Sequence, residues 1–249
     1  MALFGVGCLA SAQANRPAPP SDPVFSTDTH FYPDPFEGLN RRIFVMNQQV
    51  DRWVFDPLTR TYRLVPAVVR RSVRRFFTNL NATSVIANDL LQGELRGAAV
   101  VTSRIVVNST LGIAGLADPA TALGLPYHHS DFGQTLALAG VGCGPYFIVP
   151  LLGPTTLRDG FGTLVDFAFR PTTYLFGEGA LIEVISIQGA ATGFVEREKN
   201  VEDLLALRDS SIDFYAALRS AYTQARAGAI RQRRPSEPRN DEALDLSKR

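Results

Sequence analysis

The stretch DPFEGLNRRIFVMNQQVDRW, residues 34–53, carries a strong helix-start signal. Asp34 occupies the position of a capping carboxylate, Pro35 suits the first helical position, and Glu37 follows three residues after the cap. Apolar residues then recur every three to four positions, as on one face of an amphipathic helix. They are Phe36, Leu39, Ile43, Phe44, Val50 and Trp53. We therefore predict a first helix that begins at Asp34 and ends near Asp56-Pro57.

Three further helices are predicted downstream of Val65-Pro66. The first of them has an apolar face and a basic stripe made of Arg70, Arg71, Arg74 and Arg75. Such a stripe is typical of a solvated helix face, and the alternative is contact with anionic lipid headgroups or an acidic partner. Residues 84–92 and 94–108 are predicted as two more helices, separated by Gly93. Because β-branched runs are short and lie inside helical patterns, we predict an all-α fold in a single domain.

The stretch from Ile105 to Leu157 is nearly free of charge. Asp118 and Asp131 are its only charged residues, although 20% of the whole chain is charged. Residues 136–153 form an uncharged run long enough to be compared with a membrane span. Glycines and prolines interrupt this run, and irregular backbone exposed to lipid leaves N–H and C=O groups unpaired. The sequence therefore argues against a simple transmembrane helix.

Two interpretations of the charge-poor stretch stay open. It is either a buried core with loops, or the wall of a membrane-seated ring or channel, where irregular backbone can line a cavity. In the second case Gly140, Gly142 and Gly144 are candidates for the hinge of a movable hairpin, since glycine reaches φ values closed to other residues. The alternative for the three glycines is a plain turn.

Both ends of the chain are predicted to lie outside the folded domain. Residues 1–14 form an apolar run that ends in Ala12-Gln13-Ala14, as at a signal-peptide cleavage site. Cys8 is an alternative site of lipid attachment, although the residues before it match a lipobox weakly. Residues 15–33 resemble an extended Pro/Ser-rich tether, and residues 228–249 are polar, charged and predicted to be disordered. The folded domain is thus predicted to span residues 34–227.

The overall charge excludes one large class of function. The formal net charge is +1, so no general electrostatic field would attract the chain to nucleic acid. Lys199 and Lys248 are the only lysines among the 25 basic residues. The cationic chemistry is therefore that of arginine, which suits recognition of phosphate or carboxylate groups.

The alternative of an enzyme rests on His128, His129 and Asp131, which could bind a metal or transfer protons. No second cluster of histidines or cysteines completes a ligand set, and Ser109 and Ser130 lack the pattern of an activated nucleophile. We therefore predict no catalytic residues, no metal site and no cofactor.

A series of motifs resembles the MlaA/VacJ family. Residues 34–41 (DPFEGLNR) are similar to the DPxEGxNR motif of that family. Further motifs follow in the order and approximate spacing of the family: residues 88–93 (NDLLQG), 108–115 (NSTLGIAG), 131–136 (DFGQTL), 140–146 (GVGCGPY), 151–154 (LLGP) and 157–160 (LRDG). The resemblance covers roughly residues 34–225, and so many ordered motifs are improbable by coincidence.

The resemblance implies a compact helical ring with a central amphipathic channel, seated in the inner, periplasmic leaflet of a Gram-negative outer membrane. Members of the family remove mislocalised phospholipids from the outer leaflet and pass them to a soluble periplasmic carrier of the MlaC type. They also associate with trimeric porins. A non-enzymatic phospholipid channel is thus expected, and the alternative is a structural envelope adaptor that binds porins without moving lipid.

The candidate lipid contacts lie in the charge-poor stretch. The apolar candidates for a channel or hairpin wall are Leu111, Ile113, Leu116, Phe147, Ile148 and Leu151. Arg158 and Asp159 are candidates for contact with a headgroup, and an internal ion pair or a helix cap is the alternative for them.

Overall fold

The computed structural model describes residues 32–170 and 181–233. The predicted signal peptide with Cys8, and all but the last two residues of the predicted tether, lie outside the described residues. In chain order the elements are α1 (Glu37–Val50), a π-helical segment (Asp51–Phe55), α2 (Asp56–Tyr62), α3 (Ala67–Leu91), α4 (Leu95–Thr110), α5 (Pro119–Ala122), α6 (Phe132–Leu138), β1 (Tyr146–Val149), β2 (Gly153–Thr156), α7 (Leu157–Ala168), α8 (Leu181–Ser210) and α9 (Phe214–Arg233). The fold is mainly helical, as predicted.

Both predicted ends of the first helix are wrong. Phe36, not Asp34, is the residue that precedes the helix, and no side chain caps it. The Asp34 carboxylate instead accepts a hydrogen bond from Asn40 Nδ2 at 2.7 Å and another from the Tyr215 hydroxyl. At the other end the helical backbone continues through the π-helical segment and α2 to Tyr62. The π-helical turn before Pro57 changes the hydrogen-bond register, so the missing N–H of the proline does not end the helix there.

The second and third predicted helices form one helix. Helix α3 is 25 residues long and contains the predicted boundary near residue 84 in its interior. It ends before Gly93, whose φ of 76° reverses the chain into α4. Ala82 and Val85 of α3 pack with Val101 of α4 in a small buried cluster. The two helices therefore form an αα-hairpin.

A two-stranded antiparallel hairpin departs from the predicted all-helical fold. Tyr146 of β1 lies opposite Thr156 of β2, and the turn between the strands contains Leu151 at φ 65°. Helix α1 holds the free edge of β1 through two asparagines. Asn40 bonds Tyr146 O at 3.1 Å and Ile148 N at 2.9 Å, and Asn47 bonds Val149 O and Leu151 N in the same way. The strand is thus stabilised by contacts distant in sequence, which local periodicity does not register.

The first and last helices pack together at the hydrophobic core. The core cluster consists of Phe44, Tyr146, Ile148, Tyr215, Leu218 and Tyr222, from α1, β1 and α9. Tyr32 is also buried, and Pro33 O accepts a hydrogen bond from Tyr146 N at 2.8 Å, so the folded part begins before Asp34. At the other end, α9 continues through Gly228 to Arg233, which makes the predicted start of the tail at residue 228 wrong.

Among the described residues, no helix is both long and apolar enough to cross a membrane.

Candidate functional site

A central cavity of about 430 Å³ lies between α3, α4, α7, α8 and α9. Its apolar lining residues include Phe77, Ala82, Val85, Val101 and Val195. Its charged lining residues come from most of the surrounding helices and include Arg74, Arg75, Arg104, Asp118, Asp131, Asp159, Asp166, Arg170, Glu196 and Arg226. The cavity is therefore amphipathic, and its size falls within the range of sites for small amphiphilic ligands.

Arg226 of α9 organises the polar side of this cavity. Its guanidinium donates to both Asp131 oxygens at 2.6 and 2.7 Å, and to Asp159 Oδ1 at 2.8 Å. Burial by itself would raise the pKa of Asp131, but the charge and hydrogen bonds of Arg226 outweigh it and hold that pKa well below its usual range. Arg226 thus joins α9 to the start of α6 and to α7.

Two glycines make this close arrangement possible. A Cβ atom on Gly133 would lie 2.4 Å from Arg226 Nη2 and 2.6 Å from Asp159 Oδ1. A Cβ atom on Gly162 would lie 2.4 Å from Gly133 N, because α6 and α7 are in backbone contact there. Any larger residue at either position would separate the helices that hold the ion pairs.

Asp166 occupies a different environment on the same wall. Its Oδ1 accepts a hydrogen bond from Asn88 Nδ2 at 2.6 Å, and both its oxygens accept from Phe132 N. Burial, followed by the nearby charge of Asp131, raises the pKa of Asp166 to about 6. The wall therefore combines a carboxylate that stays ionised with one that titrates near neutral pH.

Of the predicted headgroup pair, Asp159 lines the cavity and Arg158 does not, and both side chains have partners within the protein. Arg158 Nε donates to Asp159 Oδ1 at 3.0 Å, and the Tyr222 hydroxyl donates to Asp159 Oδ2 at 2.8 Å. Both side chains are buried, so the internal ion pair is confirmed. Contact of Arg158 and Asp159 with a headgroup stays a prediction.

The structure brings none of the six predicted wall residues to the lining of the central cavity. Leu111 and Ile113 are exposed on the surface, at 71% and 72%, and Leu116 is exposed beside them. Ile148 lies in the core, Phe147 stacks on Phe36 with ring centroids 5.4 Å apart, and Leu151 is in the turn of the hairpin. Their contact with lipid stays a prediction, now for the outer surface of the protein.

The three candidate hinge glycines connect α6 to β1. Gly140 ends α6 with a φ of 87°, and Gly144 has a φ of 68° close to Leu157. Gly142 has no positive φ, and a Cβ atom on it would have no neighbour within 4 Å. The glycines at 140 and 144 are thus required by the backbone, whereas motion about the segment stays a prediction.

The two histidines of the charge-poor stretch bind different carboxylates. His128 Nε2 lies 2.6 Å from Asp89 Oδ2, whereas His129 Nε2 lies 3.4 Å from Asp131 Oδ2. In the part of the chain that the structure describes, no group of three or more His, Cys, Asp or Glu side chains could hold a metal ion. The geometry thus offers no support for a metal enzyme.

The basic stripe of α3 is only partly solvated. Arg70 pairs with Glu198 of α8, Arg74 Nη2 lies 3.7 Å from the same buried carboxylate, and Arg63 Nε lies 3.4 Å from it. Arg71 instead donates to Ala67 O of its own helix and faces outward. The interpretation as a solvated helix face is therefore wrong for Arg70 and Arg74, which hold α8 against α3.

Several cavity residues escaped the sequence analysis. Asp166, Arg170 and Arg226 were not singled out, and neither was Asn88 of the NDLLQG motif, which is buried behind the lining and donates to Asp166. Arg226 follows Tyr222 by four residues, on the apolar face of the last helix, and a charge at such a position signals a buried ion pair. Asp166 and Arg170 have the same four-residue spacing at the end of α7 and offered a similar signal.

A second depression, of about 730 Å³, lies between α1, the π-helical segment, α8 and α9. Its buried guanidinium, Arg197, is bonded to Asp51, Asp56 and Thr59 at 2.9–3.2 Å. This depression shares only Pro154 with the central cavity and contains none of the ion-paired carboxylates of α6 and α7. We therefore regard the central cavity as the candidate functional site.

Comparisons with known proteins agree on one family. A family model described as MlaA lipoprotein matches residues 32–229. The intermembrane phospholipid transport system lipoprotein MlaA of Escherichia coli is 32% identical over 206 residues, which cover 80% of this chain and 78% of that protein. The Haemophilus influenzae protein of the same name is 30% identical over 198 residues, with 77% and 76% covered.

One solved structure is similar over nearly its whole length. It comes from work on the "structural basis for maintenance of bacterial outer membrane lipid asymmetry". The match has a TM-score of 0.69 at 30% sequence identity, and it covers 79% of this chain and 98% of that one.

Proposed function

The chain belongs to the MlaA lipoprotein family, and on that premise we propose that it removes mislocalised phospholipids from the outer leaflet of a Gram-negative outer membrane. The lipid passes through the central cavity and reaches a soluble periplasmic carrier of the MlaC type. The observation that carries the proposal is the amphipathic lining of this cavity, which combines apolar residues such as Val85 and Val101 with arginines. A phospholipid likewise combines apolar and charged groups.

The outer surface supports a position in the periplasmic leaflet of the outer membrane. Large apolar side chains are exposed over several elements, among them Trp53, Leu64, Leu111, Ile113, Leu123 and Leu164. Extensive apolar exposure is costly in water and is typical of surfaces that contact lipid or another protein. The same surface could seat the chain against trimeric porins, as the family resemblance implies.

A variant that fills the cavity tests transport directly. Thr163 lines the cavity from α7, while its neighbour Leu164 faces outward and is 68% exposed. We expect Thr163→Trp to obstruct lipid passage, so that surface phospholipid and detergent sensitivity rise in cells that depend on this chain. Leu164→Trp is the matched control, since it adds an indole outside the cavity.

The same experiment separates transport from a purely structural role. A porin-binding adaptor that moves no lipid would tolerate Thr163→Trp as well as Leu164→Trp, provided that both variants fold and still co-purify with porin. Normal surface phospholipid in a folded Thr163→Trp strain would therefore refute the channel. Deleting the gene supplies the reference for complete loss.

A further inference from the structure

Arg170 differs from the other buried arginines of the described residues. Arg104, Arg158, Arg197 and Arg226 each contact at least one carboxylate within 3.0 Å. Arg170 is just as buried, at 7% exposure, yet among the described residues none accepts a hydrogen bond from its Nε or Nη1. Burial lowers the pKa of Arg170, and Asp166 counteracts that effect only in part.

The surroundings of Arg170 explain why its Nε and Nη1 lack an acceptor among the described residues. Asp166, one helical turn earlier, already accepts hydrogen bonds from Asn88 and from Phe132 N. Phe167 lies beneath the guanidinium, 4.5 Å from its carbon to the ring centroid. The side chain is therefore supported on one side by an aromatic ring and borders the central cavity with unused donors.

An unpaired guanidinium is costly to bury, since it loses hydration without gaining an acceptor. A cost of this kind is recovered when a ligand supplies the acceptor. The planar guanidinium matches phosphate oxygens, and the apolar lining residues of the cavity, such as Val85 and Val101, suit acyl chains. Arg74, which also borders the cavity, has a buried Nε without a partner and adds positive charge to the same space.

We propose that Arg170 binds the phosphodiester group of the lipid cargo inside the central cavity. This inference rests on the proposed function, because it assigns the headgroup contact for the same lipid. It also gives Arg158 a different role, since that arginine is already paired with Asp159.

The test compares Arg170→Gln with Arg71→Gln in the full chain, purified in non-ionic detergent. Arg71 is a matched control, because it is an exposed arginine bonded only to a carbonyl of its own helix. Calorimetry would measure the binding of dihexanoylphosphatidylglycerol, of dihexanoylglycerol, which lacks the phosphate, and of inorganic phosphate. We expect Arg170→Gln to weaken phospholipid binding about tenfold or more, the effect of one charged hydrogen bond, and Arg71→Gln to leave it unchanged. Dihexanoylglycerol should not distinguish wild type from Arg170→Gln.

Each other outcome has a distinct meaning. Equal phospholipid affinity in wild type and Arg170→Gln would overturn the role of Arg170 and leave the proposed function intact. A wild-type chain that binds no phospholipid would overturn the proposed function as well. Inorganic phosphate bound as tightly as the phospholipid would show that the ligand is the free anion rather than the lipid.

Thermal unfolding without lipid distinguishes a binding role from a structural one. Because Nε and Nη1 of Arg170 have no hydrogen-bond acceptor to lose among the described residues, we expect Arg170→Gln to melt at the wild-type temperature or above it. Arg104→Gln removes the ion pair with Asp118 and should therefore lower the melting temperature. A clear drop in melting temperature for Arg170→Gln would identify Arg170 as a structural residue and refute the proposal.

Discussion

At the scale of single residues, the polar side of the cavity depends on charges that compensate one another. Arg226 contacts both Asp131 and Asp159, and Tyr222 adds a hydrogen bond to Asp159. Buried ion pairs of this kind are weak evidence for stability in themselves, because desolvation offsets much of the attraction. Removing Arg226 is a different matter, since Asp131 would lose both of its short ionic hydrogen bonds to that guanidinium.

We predict that Arg226→Met destabilises the protein by about 3–5 kcal/mol, the usual effect of breaking a buried pair. Arg231→Met, at an exposed position of the same helix, should change the stability by less than about 0.5 kcal/mol. Denaturant unfolding of both variants measures the difference. Equal stability of the two would mean that Asp131 and Asp159 find other partners.

The raised pKa of Asp166 leads us to expect that the stability of the protein depends on pH. Its folded pKa of about 6 lies above the usual aspartate value of 3.8, so the folded state binds the proton more tightly than the unfolded state does. The stabilisation that protonated Asp166 contributes is complete below about pH 4 and is lost as the pH rises through about 6. Asp131 acts in the opposite direction, but its low pKa confines that effect to the range below about pH 4.

The variant Asp166→Asn tests this difference. We expect it to gain stability relative to wild type as the pH rises from 4 to 7, by up to about 3 kcal/mol for a shift of roughly two pKa units. Thermal unfolding at several pH values measures the gap between the two proteins. A gap that does not change over this range would contradict a raised pKa at Asp166.

At the scale of elements, the β-hairpin depends on α1 for its position. Asn40 and Asn47 lie seven residues apart, and therefore two helical turns apart on one face of α1, where they bond the edge of β1. The helix thus takes the place of a neighbouring strand. An edge strand bonded in this way is also protected from pairing with other chains.

We predict that Asn40→Ala destabilises the protein by about 2–4 kcal/mol, because Tyr146 O and Ile148 N are left buried without partners. Gln49→Ala, on the exposed side of the same helix, is the control. Hydrogen exchange at the Ile148 amide should accelerate in Asn40→Ala only. Unchanged exchange at that amide would show that α1 does not hold the strand.

The glycine segment between α6 and β1 allows a test of the hinge. Gly142→Val has room for its side chain and no positive φ to violate, so we expect it to fold with nearly wild-type stability. Restricted backbone freedom should nevertheless impair lipid removal. Gly140→Val, at φ 87°, should instead cost about 1–2 kcal/mol of stability.

Two measurements decide the matter: the melting temperature of each variant, and the surface phospholipid of cells that carry it. Gly228→Val is a control, because a Cβ atom there also meets open space but lies far along the chain in α9. Wild-type lipid removal by a folded Gly142→Val variant would refute the hinge.

At the scale of the whole molecule, the exposed apolar surface and the lining of the central cavity are formed by different residues. Leu111 and Ile113, first considered for a channel wall, are exposed on the outside, and Ile113 has a φ of 53°. A β-branched residue in this conformation costs about 1–3 kcal/mol, and an exposed isoleucine gains nothing in water to offset it. We therefore expect the apolar side chains of this loop to contact the bilayer.

We predict that the double variant Leu111→Glu and Ile113→Glu reduces association with phospholipid vesicles while the fold is retained. Thr110→Glu adds charge at an exposed polar neighbour and serves as the control. Vesicle flotation measures the bound fraction. Equal flotation of the double variant and wild type would show that this loop does not enter the membrane.

The sequence was sufficient to predict the helical class, the family and the start of α3, because these depend on local patterns. Apolar spacing defines a helix face within a few turns, and Val65-Pro66 interrupts a helix wherever it occurs. Ordered motifs likewise identify a family without coordinates. The amphipathic helix between residues 37 and 62 was recognised for the same reason, although both of its ends were placed wrongly.

Only the tertiary structure decided which polar residues face the cavity and which lie in the core. Asp34 has the local context of a helix cap, yet its carboxylate accepts a hydrogen bond from the hydroxyl of Tyr215, 181 positions away. Arg226 meets Asp131 across 95 positions, and Asn40 meets Ile148 across 108. Such pairings depend on how helices pack in space, and local periodicity contains no information about a partner beyond a few turns. The sequence by itself therefore determined a helical member of the family, whereas the folded chain determined where an unpaired guanidinium borders the cavity.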